Sequence, residues 1–401
     1  MSRLSQYFQG VVIKRLSAVE TDPKKSNQHE FNGIKSMVSV FGENRNKMDC
    51  LYLYLGDEEE QTISSQGFMT WYDSRENHIT RTEYRVYCQT NPVMEMAKEG
   101  DLLIIGKRID GSVLCLVVRK DSTYERQTLW LFNVNGENNL FTVGNIEGET
   151  NKELGYAGRT ILESLGIDIK LETEETDWIA ILLKEFGTTF PSTRIFSAFA
   201  RNTLSDVSSL DNPDIVLLAW IDQEEMLFRT LERHIVQQRI DQGFDDVDSF
   251  VSFSLSVHNR RKSRMGYALE NHLEQIFLDR KISYAREKVT EYKSKPDFVF
   301  PGIEEYHTDD FPVSKLTMLG AKSSCKDRWR QVLAEAKKIE EKHLLTLEPG
   351  ISENQTTEMQ AKKLQLVLPQ EIHETYLPDQ QNWLINLSDF LSVVQEKAKI
   401  S

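Results

Sequence analysis

Two rhythms of apolar residues divide the chain. Up to about residue 145, short apolar runs (VVIKRL, LYLYLG, TEYRVYC, DLLIIG, SVLCLVVR and TLWLFNV) are separated by polar or glycine-containing pieces such as GDEEE and DGS. Runs of this length between turn formers read as strands, and many in succession read as a barrel or sandwich. Beyond about 185 the spacing becomes helical. Met226, Leu227, Leu231, Ile235 and Ile240 approximate one helix face, and Leu269, Leu273, Ile276 and Phe277 approximate another. Four short strands follow: PDFVFP (296–301), KLTMLGAKSS (315–324), HLLTL (343–347) and LQLVLP (364–369). Between the second and third, Trp329, Val332, Leu333, Ala336 and Ile339 recur at helical spacing. Strands alternating with helices predict an α/β layer around a small, partly parallel sheet.

Between about 145 and 185 the chain turns acidic and polar (NIEGETNKELGYAGR, KLETEETDW), which predicts an all-β domain over 1–150, a linker or boundary over 151–185 and an α/β domain over 186–401. A chain of 401 residues suits two such cores. No apolar run approaches the roughly 18 residues needed to cross a membrane, and MSRLSQYFQGVVIKRLS lacks the pattern of a signal peptide, so a cytoplasmic protein without a membrane partner is expected. Cys50, Cys88, Cys115 and Cys325 form no CxxC pair, which argues against a disulfide framework or a structural zinc site. The net charge of −14 disfavours nucleic acid at first, but residues 147–257 hold twenty-one acidic against nine basic residues. The remainder is therefore near neutral and able to carry basic patches for phosphate.

One set of residues carries chemistry. Asp297 begins the strand PDFVFP, and Lys322 ends a strand on which Leu316, Met318, Gly320 and Lys322 alternate onto one face. Glu335, thirteen residues beyond Lys322, is expected on the following helix, returning over the sheet. Two carboxylates and an ammonium in that order suit phosphodiester hydrolysis, with Asp297 and Glu335 as ligands of Mg²⁺ and Lys322 orienting the attacking water. Singly, each has a plain reading as a turn aspartate, an edge lysine and a surface glutamate. HNRRKSRMG holds Arg260, Arg261, Lys262 and Arg264 without an acid, a phosphate clamp or else a solubilising helix flank. In CKDRWR, Lys326, Asp327 and Arg328 offer donors for guanine and an acceptor for cytosine N4, or else a salt-bridged helix start. On the β side, alternation places Arg81, Glu83 and Arg85 on one strand face, fit to read a groove or to pair among themselves. Glu270 either adds to the metal site, bonds a DNA-reading arginine or is structural.

The runs SVHNRRKSRMGYALENHLEQIF, KPDFVFPGIEEYHTDDFPV, MLGAKSSCKDRWRQVLAEAKKIEEKHLLTLEPGIS and LQLVLP strongly resemble the catalytic domain of EcoRII-type (type IIE) restriction endonucleases. The resemblance implies a C-terminal restriction-endonuclease-like (PD-(D/E)xK) nuclease domain, with Asp297, Lys322 and Glu335 around Mg²⁺ and water. It implies that Lys326, Asp327 and Arg328 read C·G pairs. It also matches Tyr306 to a tyrosine implicated in activity, either as a nucleophile or through a hydrogen bond to a phosphate or to the site. More thinly, VIKRLSAVET, NQHEFNG and WYDSRENHITRTEYRVY are similar to the family's effector domain, a DNA-binding pseudobarrel, which would place His29, Arg81, Glu83 and Arg85, with Lys14 and Arg15 behind them, on a second DNA. Two departures stand out. Tyr84 replaces a basic residue, and AWIDQEEMLF carries acids where the family has an arginine that handles an extruded central base pair.

Together these readings predict a homodimeric type IIE enzyme that hydrolyses double-stranded DNA at a short C/G-rich palindrome and is stimulated by a second copy of the site. A cognate methyltransferase would act on the same sequence. The competing readings are a structure-selective repair nuclease and a non-catalytic DNA-binding regulator. The full recognition sequence, the cleavage position, methylation sensitivity and the dimer surface are not legible in the chain.

Overall fold

The computed structural model describes residues 3–21, 30–56, 62–78, 80–134, 136, 138–144, 154–167, 169, 177–325 and 328–399. Contacts divide the chain into two compact units, Met1–Lys170 with Thr375–Leu377, and Leu171–Glu374 with Pro378–Ser401.

The first unit is built on one eight-stranded sheet: β1 (Phe8–Arg15), β2 (Glu30–Asn32), β3 (Asn46–Leu55), β4 (Ile63–Asp73), β5 (Tyr84–Cys88), β6 (Leu102–Arg108), β7 (Val113–Val118) and β8 (Thr142–Gly144), in the order β2-β5-β4-β3-β7-β6-β1-β8. All neighbours are antiparallel except β3 and β7. Strict alternation sends Val12, Cys50, Tyr52, Trp71, Val86, Leu103, Ile105 and Cys115 to one face, where they form a core. Phe31 on the β2 edge meets Phe141, next to the β8 edge, edge to face at 6.4 Å. The two ends of the sheet are thus drawn together around that core into a pseudobarrel.

The opposite face is apolar as well, because helices cover it. TLWLFNV, expected as a strand, is the end of a helix, Thr123–Phe132. Ser122 caps it by accepting from Glu125 N at 3.1 Å, and Asn133 ends it in the left-handed region at φ 46°. Leu131 and Phe132 then lie beside Leu102, Ile104, Leu114 and Leu116. A continuous apolar run concealed the helical period; the cap was the better signal. The helix Tyr156–Ser164, within the stretch expected as a linker, adds Ile161 and Leu162 to the same layer.

In the second unit a five-stranded sheet, β9 (Ala285–Arg286), β10 (Phe298–Phe300), β11 (Thr317–Lys322), β12 (Lys342–Thr346) and β13 (Leu364–Val367), runs in the order β13-β12-β11-β10-β9. β11, β12 and β13 are parallel, while β10 is antiparallel to both β11 and β9. Two long helices, Pro213–Gln242 and Val247–Asp279, precede it. Asn212 caps the first ahead of Pro213, Gly243 at φ 75° stops it, and Asp246 caps the second. The second helix lays Phe277 against Phe298 and Phe300, with ring centroids at 5.1 and 5.2 Å. A satellite cluster of Leu182, Phe196, Ala200, Leu227, Phe228 and Leu231 joins the helices away from the sheet. Among the described residues no helix is long and apolar enough to cross a membrane, and all four cysteines are free and buried.

Candidate active site

The parallel strands β11 and β12 end together, Lys322 beside Thr346, and the functional side chains gather where β11 stops. Asp297 lies one residue before β10, which pairs Phe298 with Leu319. From there Asp297 Oδ2 accepts from the backbone N–H of Ala321 and from Lys322 Nζ, both at 2.6 Å. The carboxylate is buried and its orientation is fixed by a strand amide, so the lysine meets a preset partner.

Glu335 arrives by a different route from the expected one. The helix that follows β11 is short, Trp329–Leu333, and Glu335 sits just past its end. The side chain is presented by a turn in which Ala336 has φ 44°. Gly320 explains how close this helix comes. A Cβ there would stand 2.9 Å from Val332 Cγ2, so only glycine lets the helix rest on β11. Burial pushes the Glu335 carboxyl up to about 7 and the Asp297 charge adds to the effect, while Lys322 and Lys342 oppose it. Among the described residues its buried Oε2 has no hydrogen-bond partner.

A third carboxylate belongs here. Glu270, on the helix Val247–Asp279, is also raised to about 7, first by burial and then by the Asp297 charge. Arg286 of β9 opposes the shift, donating to Glu270 at 2.9 Å, to Glu274 at 2.6 Å and to Asn271 at 2.9 Å. Neither Arg286 nor Lys342 was singled out from the sequence; Arg286 lies in a strand of only two residues, Ala285–Arg286, too short to show a pattern.

Both Glu335 and Glu270 thus respond to the same negative charge, and among the described residues one buried oxygen of Glu335 is unbonded. A hard cation relieves all of these at once, and the oxygen donors fit Mg²⁺. Among the described residues no three His, Cys, Asp or Glu side chains are gathered closely enough to enclose an ion unaided. Two carboxylates plus water and phosphate are the usual protein share for Mg²⁺.

Tyr306 is fully buried. Its hydroxyl donates to Glu291 at 2.7 Å and accepts from Lys338 N at 3.1 Å, and burial followed by the Glu291 bond pushes it above its ordinary range. That environment suits a hydrogen-bonding role and opposes a nucleophilic one.

The expected DNA contacts are dispersed. Lys326, Asp327 and His29 lie outside the described residues. Arg328 is exposed at the start of the short helix and donates to Ser324 O at 3.2 Å. Of the basic run, Lys262 is exposed, Arg261 pairs with Glu232 at 2.6 Å and Arg260 lies 4.5 Å over Phe190. Arg264 is buried between Phe196 and Phe228 with Glu224 at 3.5 Å, away from solvent. In the barrel Arg81 is exposed and precedes β5 instead of lying within it. Arg85 pairs with Glu30 at 2.9 Å and Glu83 at 2.6 Å, and Glu83 also meets Arg75 at 2.5 Å. Lys14 is buried against Glu20 and lies over Phe31 and Phe141, while Arg15 pairs with Glu125.

Comparison with known proteins places a family on part of this chain. Residues 228–391 match the family model described as EcoRII C terminal. The type II restriction enzyme EcoRII of Escherichia coli is 42% identical over 186 residues, which cover 46% of this chain and 46% of that protein. The chain therefore matches about half the length of this curated relative. Among solved structures, metal-depleted Ecl18kI in complex with uncleaved, modified DNA covers 57% of this chain and 86% of its own, at 19% identity and a TM-score of 0.45. The PspGI–substrate DNA complex covers 53% and 95%, at 16% identity and a TM-score of 0.44.

Proposed function

We propose that the chain, whose residues 228–391 match the EcoRII C terminal family model, is a type II restriction endonuclease that hydrolyses double-stranded DNA in a Mg²⁺-dependent reaction. The observation that carries this reading is the bond from Lys322 Nζ to Asp297 at the end of β11, with Glu335 and Glu270 under the same carboxylate's charge. Asp297 and Glu335 are the residues that hold the ion, and Glu270 stands next to them. When bound, Mg²⁺ supplies positive charge against the phosphate as negative charge builds in the transition state. Lys322 steadies the attacking water and donates toward the same developing charge. The Ala321 amide keeps Asp297 from turning away, so the site is oriented before DNA arrives.

Recognition is assigned to the segment after β11. Lys326, Asp327 and Arg328 meet C·G pairs at the ends of a short palindrome, and Arg260, Arg261 and Lys262 hold phosphates. A palindrome favours a two-fold homodimer. The barrel, through His29, Arg81, Glu83 and Arg85, binds a second copy of the site and stimulates cleavage. A methyltransferase acting on the same sequence protects host DNA.

The test is digestion of plasmid DNA in Mg²⁺ and sequencing of the ends. Defined termini at one C/G-rich palindrome are expected. Asp297→Ala and Lys322→Ala are expected to abolish cutting while specific binding persists, since neither side chain reads a base. Undiminished turnover by Asp297→Ala would refute the assignment.

A further inference from the structure

The turn that presents Glu335 is gripped by polar groups, two of them buried, that take no part in the reaction described above. Lys342, at the start of β12, is itself buried, and its ammonium donates to the carbonyls of Ala336 at 3.1 Å and Ile339 at 2.5 Å. On the amide side, Glu291 accepts from Lys337 N at 3.1 Å, and the Tyr306 hydroxyl, bonded to Glu291, accepts from Lys338 N. A buried lysine is costly to keep unless its donors are satisfied, and burial does lower this one. Two consecutive amides and two carbonyls of a four-residue turn are thus held by side chains from elsewhere in the chain. Ala336 and Ile339 are buried, so their carbonyls need Lys342 in place of water, while the exposed Lys337 amide is held by Glu291 although water could reach it.

We propose that Lys342 and Glu291 are positioning residues for Glu335, one fixing the turn 336–339 through its carbonyls and the other through its amides, so that the carboxylate is delivered beside Asp297. Glu291 comes six residues before Asp297 in the chain, in the 3₁₀ turn Glu291–Lys293. The grip therefore ties the segment leading into one carboxylate to the turn carrying the other. Tyr306 is the bridge in this arrangement, which gives its hydroxyl a role without contact with DNA. The inference rests on the nuclease reading for the purpose of Glu335, but its test does not depend on cleavage.

The test uses the full chain with Lys342→Met, Glu291→Ala and Glu291→Gln. Mn²⁺ binding is followed by electron paramagnetic resonance, and Mg²⁺ dependence by cleavage of cognate duplex. Thermal unfolding and metal-free DNA binding are measured alongside. In folded Lys342→Met and Glu291→Ala, the Mn²⁺ concentration for half-occupancy is expected to rise at least tenfold with DNA affinity unchanged, and excess Mg²⁺ is expected to restore much of the cleavage rate. Glu291→Gln keeps one acceptor oxygen and should recover most of the Mn²⁺ affinity lost in Glu291→Ala. Should Lys342→Met fail to fold, the Glu291 pair decides alone. Unchanged Mn²⁺ affinity in the folded variants, or a loss in Glu291→Ala that Glu291→Gln does not reverse, overturns the proposal. Failure of the wild-type chain to cut any DNA would instead overturn the nuclease reading, leaving the Mn²⁺ comparison to judge the grip.

Discussion

Glu335 keeps its proton to about pH 7, well above the usual carboxylate range, because burial and the neighbouring Asp297 charge penalise its ionised form. The folded protein binds that proton more tightly than the unfolded chain does. The stability it contributes is therefore full below the ordinary value of 4.5 and is lost as pH rises through 7. In metal-free buffer at pH 8, Glu335→Gln is expected to be more stable than the wild type by about 1–2 kcal/mol, with the difference gone near pH 4.5; denaturant unfolding at both values checks this. Glu270→Gln is expected to behave differently, since it weakens the pairing of the buried Arg286 side chain. A wild type more stable than Glu335→Gln at pH 8 would contradict the account. Asp297, Lys322 and Glu335 were legible in the chain because their order along strand, strand and following segment is itself a signal. Lys342, Glu291 and Arg286 were not, because each looks like an ordinary surface charge until the fold supplies its hydrogen-bond partners.

The elements around the site were largely readable from apolar spacing, and the exceptions have physical causes. β1, β3, β5, β6, β7 and β10 to β13 stood out as runs of β-formers, whereas β2, β4, β8 and β9, more polar or very short, did not. The helix after β11 is only Trp329–Leu333, although Ala336 and Ile339 continue its apolar spacing. Both are buried by the turn instead, Ala336 at a positive φ, so burial mimicked helical periodicity. The contact between Gly320 and Val332 makes a sharp prediction for this pair of elements. Gly320→Ala forces the short helix off β11 or distorts it, at a cost of about 1–3 kcal/mol, as overpacking does. It also shifts Glu335, so cleavage is expected to fall more than stability alone explains. The measurement is the single-turnover rate well below the variant's unfolding temperature, compared with wild type. A normal rate in a destabilised Gly320→Ala protein would show that the helix tolerates displacement without moving the acid.

For the molecule as a whole, two units with separate cores allow separate tasks. The barrel's charged edge is already internally paired, Arg85 to Glu30 and Glu83. DNA bound there would have to compete with those acids, so binding at that edge would be weak and salt-sensitive. If a second copy of the site acts through the barrel, a plasmid with one site is cut slowly and an added duplex carrying the site speeds it. The effect can be no larger than the barrel's preference for the active state. Arg81→Ala with Arg85→Ala is expected to abolish the response to added duplex, and a chain starting near residue 171 is expected to cut one-site plasmid unaided. Equal rates on one-site and several-site plasmids for the full chain would refute this regulation and leave the nuclease assignment intact.

Lys322, Arg328 and Glu335 follow one another on a single stretch of fourteen residues, from the end of β11 through the short helix to the turn. If Arg328 reads a base, as proposed above, a base that it cannot satisfy pulls on the same backbone that carries Glu335. Fidelity is then exercised at the moment of cutting more than at docking. A near-match sequence can be occupied and still survive, because the penalty for a wrong letter is levied on alignment of the reacting groups. The expected signature is a cleavage-rate ratio between correct and one-letter-wrong duplexes that exceeds the ratio of their affinities, with the excess disappearing in Arg328→Ala.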